Sequence, residues 1–343
     1  VKPSTLRDFP FAYPERDKQH SIVAEIEKQF SRLDEAVASL KRIKANLKRY
    51  KAAVLKAAVE GKLTENWRKQ HPDIEPASKL LERILAERRG KWSGRGKYKE
   101  PVAPEPGNLP PLPKGWTWTS LGQIFEVRVG ATPSRGKQEY WNGTIPWVSS
   151  GEVAFCRIRK TREQITEKGL ANSSTEMHPA GTVLLGMIGE GKTRGQAAIL
   201  DIAACNNQNS AAIRVSEAGV PPEYVYRYLE GKYAENRLIG SGNNQPALNK
   251  ARVQGIPLPL PPISEQHQIV AEVERRLSVI EELEVAVDAN LTRADRLRQA
   301  VLSQAFSGRL LGRDTSHSPN ILPTFSIAAE SQARYGRDGR ARR

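Results

Sequence analysis

The chain has 343 residues, 53 Lys and Arg against 38 Asp and Glu, and a formal charge of +15 at pH 7. That length allows two or three domains with a sizeable core, and the charge points to a polyanionic partner, most simply nucleic acid. No run of eighteen apolar residues occurs, which excludes a transmembrane helix.

Hydrophobic residues make up 38% and charged residues 27%, a balance that suits long exposed helices. Cys156 and Cys205 are too few for a disulfide framework and sit at no metal-ligand spacing. Both are expected as buried free thiols in a reducing cytoplasm. The opening VKPSTLRDFPF is neither a signal nor a transit peptide. It starts on Val, so residues upstream are expected to be missing from the given sequence.

The first long element is residues 19–63, which recur 247 positions later as residues 266–310 with no gap. About a third of the aligned positions are identical, concentrated in QHxIVAE at the start and AVL…A…GxL at the end. In the first copy, Ile22, Ile26, Phe30, Leu33, Val37, Leu40, Leu47, Tyr50, Val54 and Ala58 fall at steps of three and four, with wider gaps. In the second, Val273, Leu277, Ile280, Val287, Leu291, Ala294, Val301 and Ala305 repeat the stripe. Such spacing predicts helices with one apolar seam of coiled-coil type. Neither copy contains Pro before Gly61 or Gly308, which are placed to end the helices. A narrow stripe is not satisfied alone, so the two copies are expected to pack on each other, antiparallel if the block between them turns the chain back. The first copy is net +5 and the second net −1, which favours that association. His20 and His267 hold matching positions near the helix starts, where packing or capping outweighs catalysis.

Residues 64–110 read as a connector: an amphipathic helix from Ala77 to Arg89, then a Gly-, Pro- and Lys-rich extended linker. Residues 111–262 change character. GWTWTSLGQIFEVRVG, TIPWVSS, GTVLLGMIG, AAILDIA and SAAIRV are short β-prone runs, and PPEYVYRYLEGKYAENRLI reads as one helix. The fold class is therefore α+β: one mixed α/β domain with a twisted sheet and long loops, carried by two long helices. The second long helix takes residues 263–312, and residues 313–343 show no periodicity and read as a disordered tail.

Enzyme signatures are scarce. There is no H-E-x-x-H, no paired CxxC, no G-x-S-x-G and no D/N-P-P-Y/F string. Gly186-Met-Ile-Gly-Glu-Gly191-Lys192-Thr193 does fit G-x-x-x-x-G-K-[ST]. A phosphate-binding loop needs a helix N-terminus directly after it, whereas RGQAAILDIAACNNQNSAAIRV reads as strands and turns. A glycine-rich loop that presents Lys192, Thr193 and Arg194 to a nucleic-acid backbone is the stronger reading. A P-loop nucleotide-binding protein and a purely structural coiled-coil adaptor are the alternatives. No metal and no cofactor are expected.

Polar and basic loop clusters supply the other candidate contacts. They are Thr132, Ser134, Arg135 and Lys137; Arg157, Arg159 and Lys160; Asn207 and Gln208 within Asn206–Asn209; and Asn243, Asn244 and Gln245. Arg and Lys grip guanine or phosphate, and Asn and Gln pair with adenine. Amide-rich loops are also ordinary turns, so it is their accumulation in one basic module that carries the reading. The candidate partner surface is the helical seam: Ile26, Phe30, Leu33, Leu40, Leu47, Val54, Val273, Leu277, Ile280, Leu291 and Val301.

LPKGWTWTSLGQI, GTIPWVSSGEV, VLLGMIGEGKTRGQAAI with NNQNSAAI, and PLPLPPISEQHQIVAEVE with a closing GRLL together resemble the DNA-specificity subunits of type I restriction-modification systems. The likeness runs from about residue 10 to 312. It implies two target-recognition domains, each followed by a long helical region, with the helices in an antiparallel coiled coil. It also implies double-stranded DNA and methyltransferase subunits as partners, restriction and motor subunits in the full complex, no catalysis by this subunit, and a cytoplasmic location. Only one complete recognition domain is present. Residues 1–18 read as the closing edge of another, since Pro10 and Pro14 align with Pro257 and Pro261. A half-length subunit of this kind is expected to pair with a second copy.

Overall fold

The computed structural model describes residues 13–94, 96–105, 107, 109–189, 191–238 and 248–311. The expectations for the tail after residue 312, for Pro10, and for Asn243, Asn244 and Gln245 lie outside them. The chain divides into two units, residues 1–41 with 288–343 and residues 42–287, each described by itself.

In chain order the helix α1 (Arg16–Val59) is followed by α2 (Glu65–Gln70) and α3 (Ala77–Gly90). The mixed domain then contributes β1 (Thr117–Ser120), α4 (Leu121–Ile124), β2 (Val127–Val129), β3 (Trp141–Val148), β4 (Cys156–Ile158), β5 (Glu163–Ile165) and α5 (Glu167–Ala171). It continues with β6 (Val183–Gly186), β7 (Ala197–Leu200), β8 (Cys205–Asn206), β9 (Ser210–Ile213), α6 (Pro222–Gly231), α7 (Tyr233–Leu238), α8 (Lys250–Gln254) and β10 (Pro257–Leu260). The last element among the described residues is α9 (Ile263–Phe306).

The repeat is written into the ends of the long helices. Both have 44 residues, and both bounds differ by the repeat's own offset of 247. At their starts the Gln19 side chain donates to the Pro14 carbonyl at 2.7 Å, and Gln266 donates to Pro261 at 2.8 Å. At their ends Gly61 (φ 67) and Gly308 (φ 70) take the left-handed conformation. The amides of Lys62 and Leu63 then fold back on the Ala57 carbonyl, and those of Arg309 and Leu310 on Gln304. A side chain with a Cβ is strained at that φ, which is why glycine closes both copies.

Among the described residues three sheets form where the sequence suggested one. A five-stranded sheet in the order β2-β9-β6-β7-β4 holds the core, beside a three-stranded sheet β5-β3-β8 and the pair β1-β10. The strands are short and interrupted by Gly, Pro and a register shift between Trp141 and Ile145, so no single ladder continues. Every residue of β6, β7 and β9 is buried. Coverage of both sheet faces explains why these runs are continuously apolar instead of alternating. β10 contains Pro257 and Pro259 and pairs with β1 alone, where a missing N–H costs least. The predicted helix over residues 221–239 is broken at Gly231–Lys232 into α6 and α7. The run GWTWTSLGQIFEVRVG likewise contains a helical turn, α4, started by a Ser120–Gln123 capping box. Cys205 is buried and its thiol is pushed up to about 11 by desolvation, whereas Cys156, expected to be buried, is only half-buried.

Within the second unit, α6 lies on the inner parts of the long helices. Leu55, Ala58, Tyr224, Tyr228, Ile269 and Val273 line one small apolar cavity. Lys51 pairs with Glu230 at 2.9 Å, and Arg227 bridges Glu230 and Glu274 at 2.7 and 2.9 Å. The connector is pinned as well, because Arg88 donates to the carbonyls of Gly122 and Gln123, both at 2.7 Å.

One carboxylate ties these parts together. Glu265, 1% exposed at the start of α9, accepts from Thr64 Oγ1 at 2.7 Å, from Arg68 at 3.0 and 2.8 Å, and from Trp116 Nε1 at 2.8 Å. Removing one partner of a buried charged set leaves the others desolvated and unpaired, at about 3–5 kcal/mol. Glu265→Ala is expected to lower the unfolding free energy of the 42–287 unit by about that amount in urea titrations. Glu235→Ala, which removes an exposed pair with Lys232, is expected to shift it by less than about 1 kcal/mol.

Candidate nucleic-acid interface

Three of the predicted loop clusters meet on one face of the mixed domain. Ala131 donates its amide to the Asn206 carbonyl at 3.0 Å. This close approach depends on Gly130, where a Cβ would stand 1.9 Å from that same oxygen. Thr132 Oγ1 donates to Gln208, which fastens the 131–137 loop to the 206–209 turn. Met187 donates to the Asn209 carbonyl at 2.8 Å and accepts from the Leu248 amide at 3.0 Å. The loop after β6 and Leu248 are thereby joined to the same turn.

The predicted residues divide into those that face outward and those that build the face. Ser134, Arg135, Lys137, Lys192 and Gln208 are exposed. Lys137 donates to the Tyr140 hydroxyl at 3.0 Å. Asn207 is buried: its Oδ1 accepts from the Asn209 amide at 3.1 Å and its Nδ2 reaches Ser150 Oγ at 3.4 Å. It shapes the turn and leaves Gln208 as the amide at the tip. Thr193 is half-buried and supplies its carbonyl to Gln196 at 3.0 Å. Arg194, expected on the outer face, is 7% exposed, because the hairpin turns back under α7 at Gly195. Arg157 and Arg159 are held by acids: Arg157 by Asp201 at 2.7 Å and Glu223 at 2.8 Å, Arg159 by Asp201 at 3.2 Å.

The phosphate-loop alternative fails on geometry. Residues 187–196 form the connection between antiparallel β6 and β7, closed by the Gly186 amide on Gln196 and the Gly195 amide on Gly186, both at 2.8 Å. No helix begins at Thr193, so amides and helix dipole do not converge on a phosphate site. The loop is held from the other side by α7, where the Tyr233 hydroxyl donates to the Lys192 carbonyl at 2.7 Å.

Several residues of the face escaped the sequence reading. Glu152 accepts from Ser149 and from the Arg162 amide, each at 2.9 Å, which brings the 149–152 and 160–162 segments alongside Asn207. Arg162 and Gln164 are exposed beside Trp141, Asn142 and Arg135. Three-residue edge strands such as β5 give too short a period to reveal which side chains point outward.

His178 supports the 206–209 turn from beneath. It is buried, with Nε2 2.9 Å from Asn206 Oδ1 and Nδ1 facing Arg214 Nε at 3.4 Å. Desolvation first, then the Arg214 charge, push it down to about 4. The neutral ring donates from Nε2 and accepts at Nδ1.

The fold and its face define a protein class: a basic, loop-bearing α/β head on duplicated long helices. Residues 113–285 match the type I restriction modification DNA specificity domain. The chain belongs to that family. The EcoDI specificity subunit of Escherichia coli is 25% identical over 96% of this chain and 68% of its own length. The MjaIX specificity subunit of Methanocaldococcus jannaschii is 31% identical over 46% of this chain and 37% of its own. The solved HsdS subunit from Thermoanaerobacter tengcongensis shares the fold with a TM-score of 0.52 at 20% identity, covering 87% of this chain and 60% of that one.

His178 titrates near 6.5 when unfolded and near 4 when folded, so the unfolded chain binds the proton first. The stability tied to a neutral ring is complete above pH 6.5 and falls as pH drops toward 4, by about 3 kcal/mol. Urea titrations between pH 7 and 4.5 are expected to show this loss, and His178→Gln is expected to flatten that part of the slope.

Proposed function

We propose that this chain is the DNA-reading and scaffolding component of a type I restriction-modification complex, with its single described head reading one part of a divided target. The supporting observation is the joining of the 131–137, 187–194 and 206–209 loops into one exposed face that carries Arg135, Lys137, Lys192 and Gln208. The subunit supplies recognition, and methylation and cleavage are carried out by partner subunits. Its place of action is the cytoplasm; no described helix is long and apolar enough to cross a membrane.

The long helices act as the spacer, running antiparallel. In one unit Arg298 pairs with Asp34 at 2.7 Å and lies over the Phe30 ring, and in the other Leu55 and Ala58 meet Ile269 and Val273. Each contact, taken within its own unit, supports that reading. Leu33, Leu47, Val54, Val273, Leu277, Ile280 and Val301 are buried, whereas Ile26, Phe30, Leu40 and Leu291 are half-buried. The methyltransferase subunits dock on the outer faces of these helices. The domain divisions expected from the sequence, with the head at 111–262, are part of this proposal.

The repeat also provides a second seat. Leu55 and Val270, which lie against α6, correspond to Leu302 and Val23, and the latter pair are 36% and 51% exposed. A second copy of this chain seated there would complete a two-headed reader.

Duplex binding is expected to weaken with salt. Lys192→Ala is expected to lower affinity about equally for all sequences and to reduce the slope of log K against log salt by about 1. Unchanged duplex binding with loss of ATP binding would instead restore the nucleotide-site reading.

A further inference from the structure

Beside the joined loops, at the outer edge of β5, lies an open groove of about 530 Å³ lined by Arg135, Trp141, Asn142, Arg162, Glu163 and Gln164. Trp147 is buried and donates to the Ala131 carbonyl at 3.0 Å. Trp141 meets it edge-on, with centroids 5.2 Å apart at 89°, and donates to the Ser134 carbonyl at 3.2 Å. The Arg135 guanidinium stacks on the Trp141 ring, 3.8 Å from its centroid. It forks onto Glu163, with Nη1 on Oε1 and Nη2 on Oε2, the latter at 2.9 Å.

We propose that Arg135 is a guanine-reading side chain of this head, and that Glu163 occupies its fork until DNA arrives. This inference rests on the DNA-reading role proposed above and names one of its specificity residues. A carboxylate presents two acceptors to the guanidinium plane, as guanine O6 and N7 do in the major groove. The Trp141 stack fixes that plane, so little rotamer freedom is lost when the acceptors are exchanged. The Arg135 and Glu163 side chains are 55% and 36% exposed, so exchange needs no unfolding.

Glu163 also makes the exchange selective. A duplex that offers no acceptor pair gains nothing for the lost ion pair and meets a carboxylate that repels its phosphates. Discrimination by an unfavourable element against wrong partners follows. Exposed Asn142, held at φ 60, and Gln164 set two amides in the same groove. Arg162 is exposed and has no ion pair among the described residues.

The test is selection of bound duplexes from a random pool, with the full chain assembled with its modification subunits. Arg135→Lys keeps the charge and loses the fork. It is expected to retain random-duplex affinity within a few-fold while erasing enrichment of one guanine by about tenfold to a hundredfold, as loss of one bidentate pair implies. Arg135→Ala is expected to erase the same guanine, and thermal melting checks its fold. Glu163→Gln is expected to tighten random-duplex binding several-fold and narrow the ratio of specific to random binding. A pool unchanged by Arg135→Lys, or random-duplex affinity unchanged by Glu163→Gln, overturns this proposal alone. A pool in which the unaltered complex enriches no sequence overturns the DNA-reading role with it.

Discussion

The buried carboxylate of Glu265 is the constraint on which the second unit depends. Its oxygens receive hydrogen bonds from a residue just past the first long helix, from an arginine on α2 and from the tryptophan that leads into β1. These donors lie about 150 to 200 residues away in sequence, so no local propensity brings them together. A lone buried carboxylate is costly, and this one is tolerated because the Arg68 charge and directed donors replace its water. The physical result is a joint with little freedom between the end of α1, the start of α9 and the head. A reader whose loops must meet base edges needs such fixed support, since an error of about an ångström in placement loses the hydrogen bonds that carry discrimination.

The joint is also where the repeat stops being a repeat. The helix bounds, the Gln19 and Gln266 contacts and the left-handed glycines coincide in both copies. Position 18, however, carries an exposed Lys where the second copy has Glu265. The helix machinery is therefore duplicated, while the specific latch to a head belongs to one end. A second copy seated at Val23 and Leu302, as proposed above, would be held by other contacts, with apolar burial foremost among them.

Legibility in the sequence followed the length of each pattern. Forty-four-residue helices carry many turns of periodic signal, and their ends were marked by Gly61 and Gly308. β6, β7 and β9 were legible as apolar runs, but not as neighbours in one sheet, because pairing is a long-range property. The three-residue strands β4 and β5 gave no usable period, and β10 was hidden by its two prolines. In the site, residue type singled out the loops at 132–137 and 206–209, which hydrogen bonds bring together. It could not tell a tip from a foundation: Gln208 is exposed, while adjacent Asn207 is buried and used internally. Arg194 failed for the same reason, since a hairpin reverses which neighbours face solvent.

The charge of the head shows why composition alone overstates its grip on a polyanion. Arg128, Arg157, Arg159, Arg214 and Arg227 all face carboxylates within the domain. Among the described residues of the head, Lys114, Lys137, Lys160, Arg162, Lys192 and Lys250 are exposed without an ion pair. An arginine already held by an acid lends a duplex little net attraction, so non-specific binding rests on the cations without an acid partner and falls with salt accordingly. Restraint of this kind is useful to a reader. A head that gripped every phosphate strongly would dwell on unrelated sequence, and the energy separating right from wrong base pairs would form a smaller part of the total.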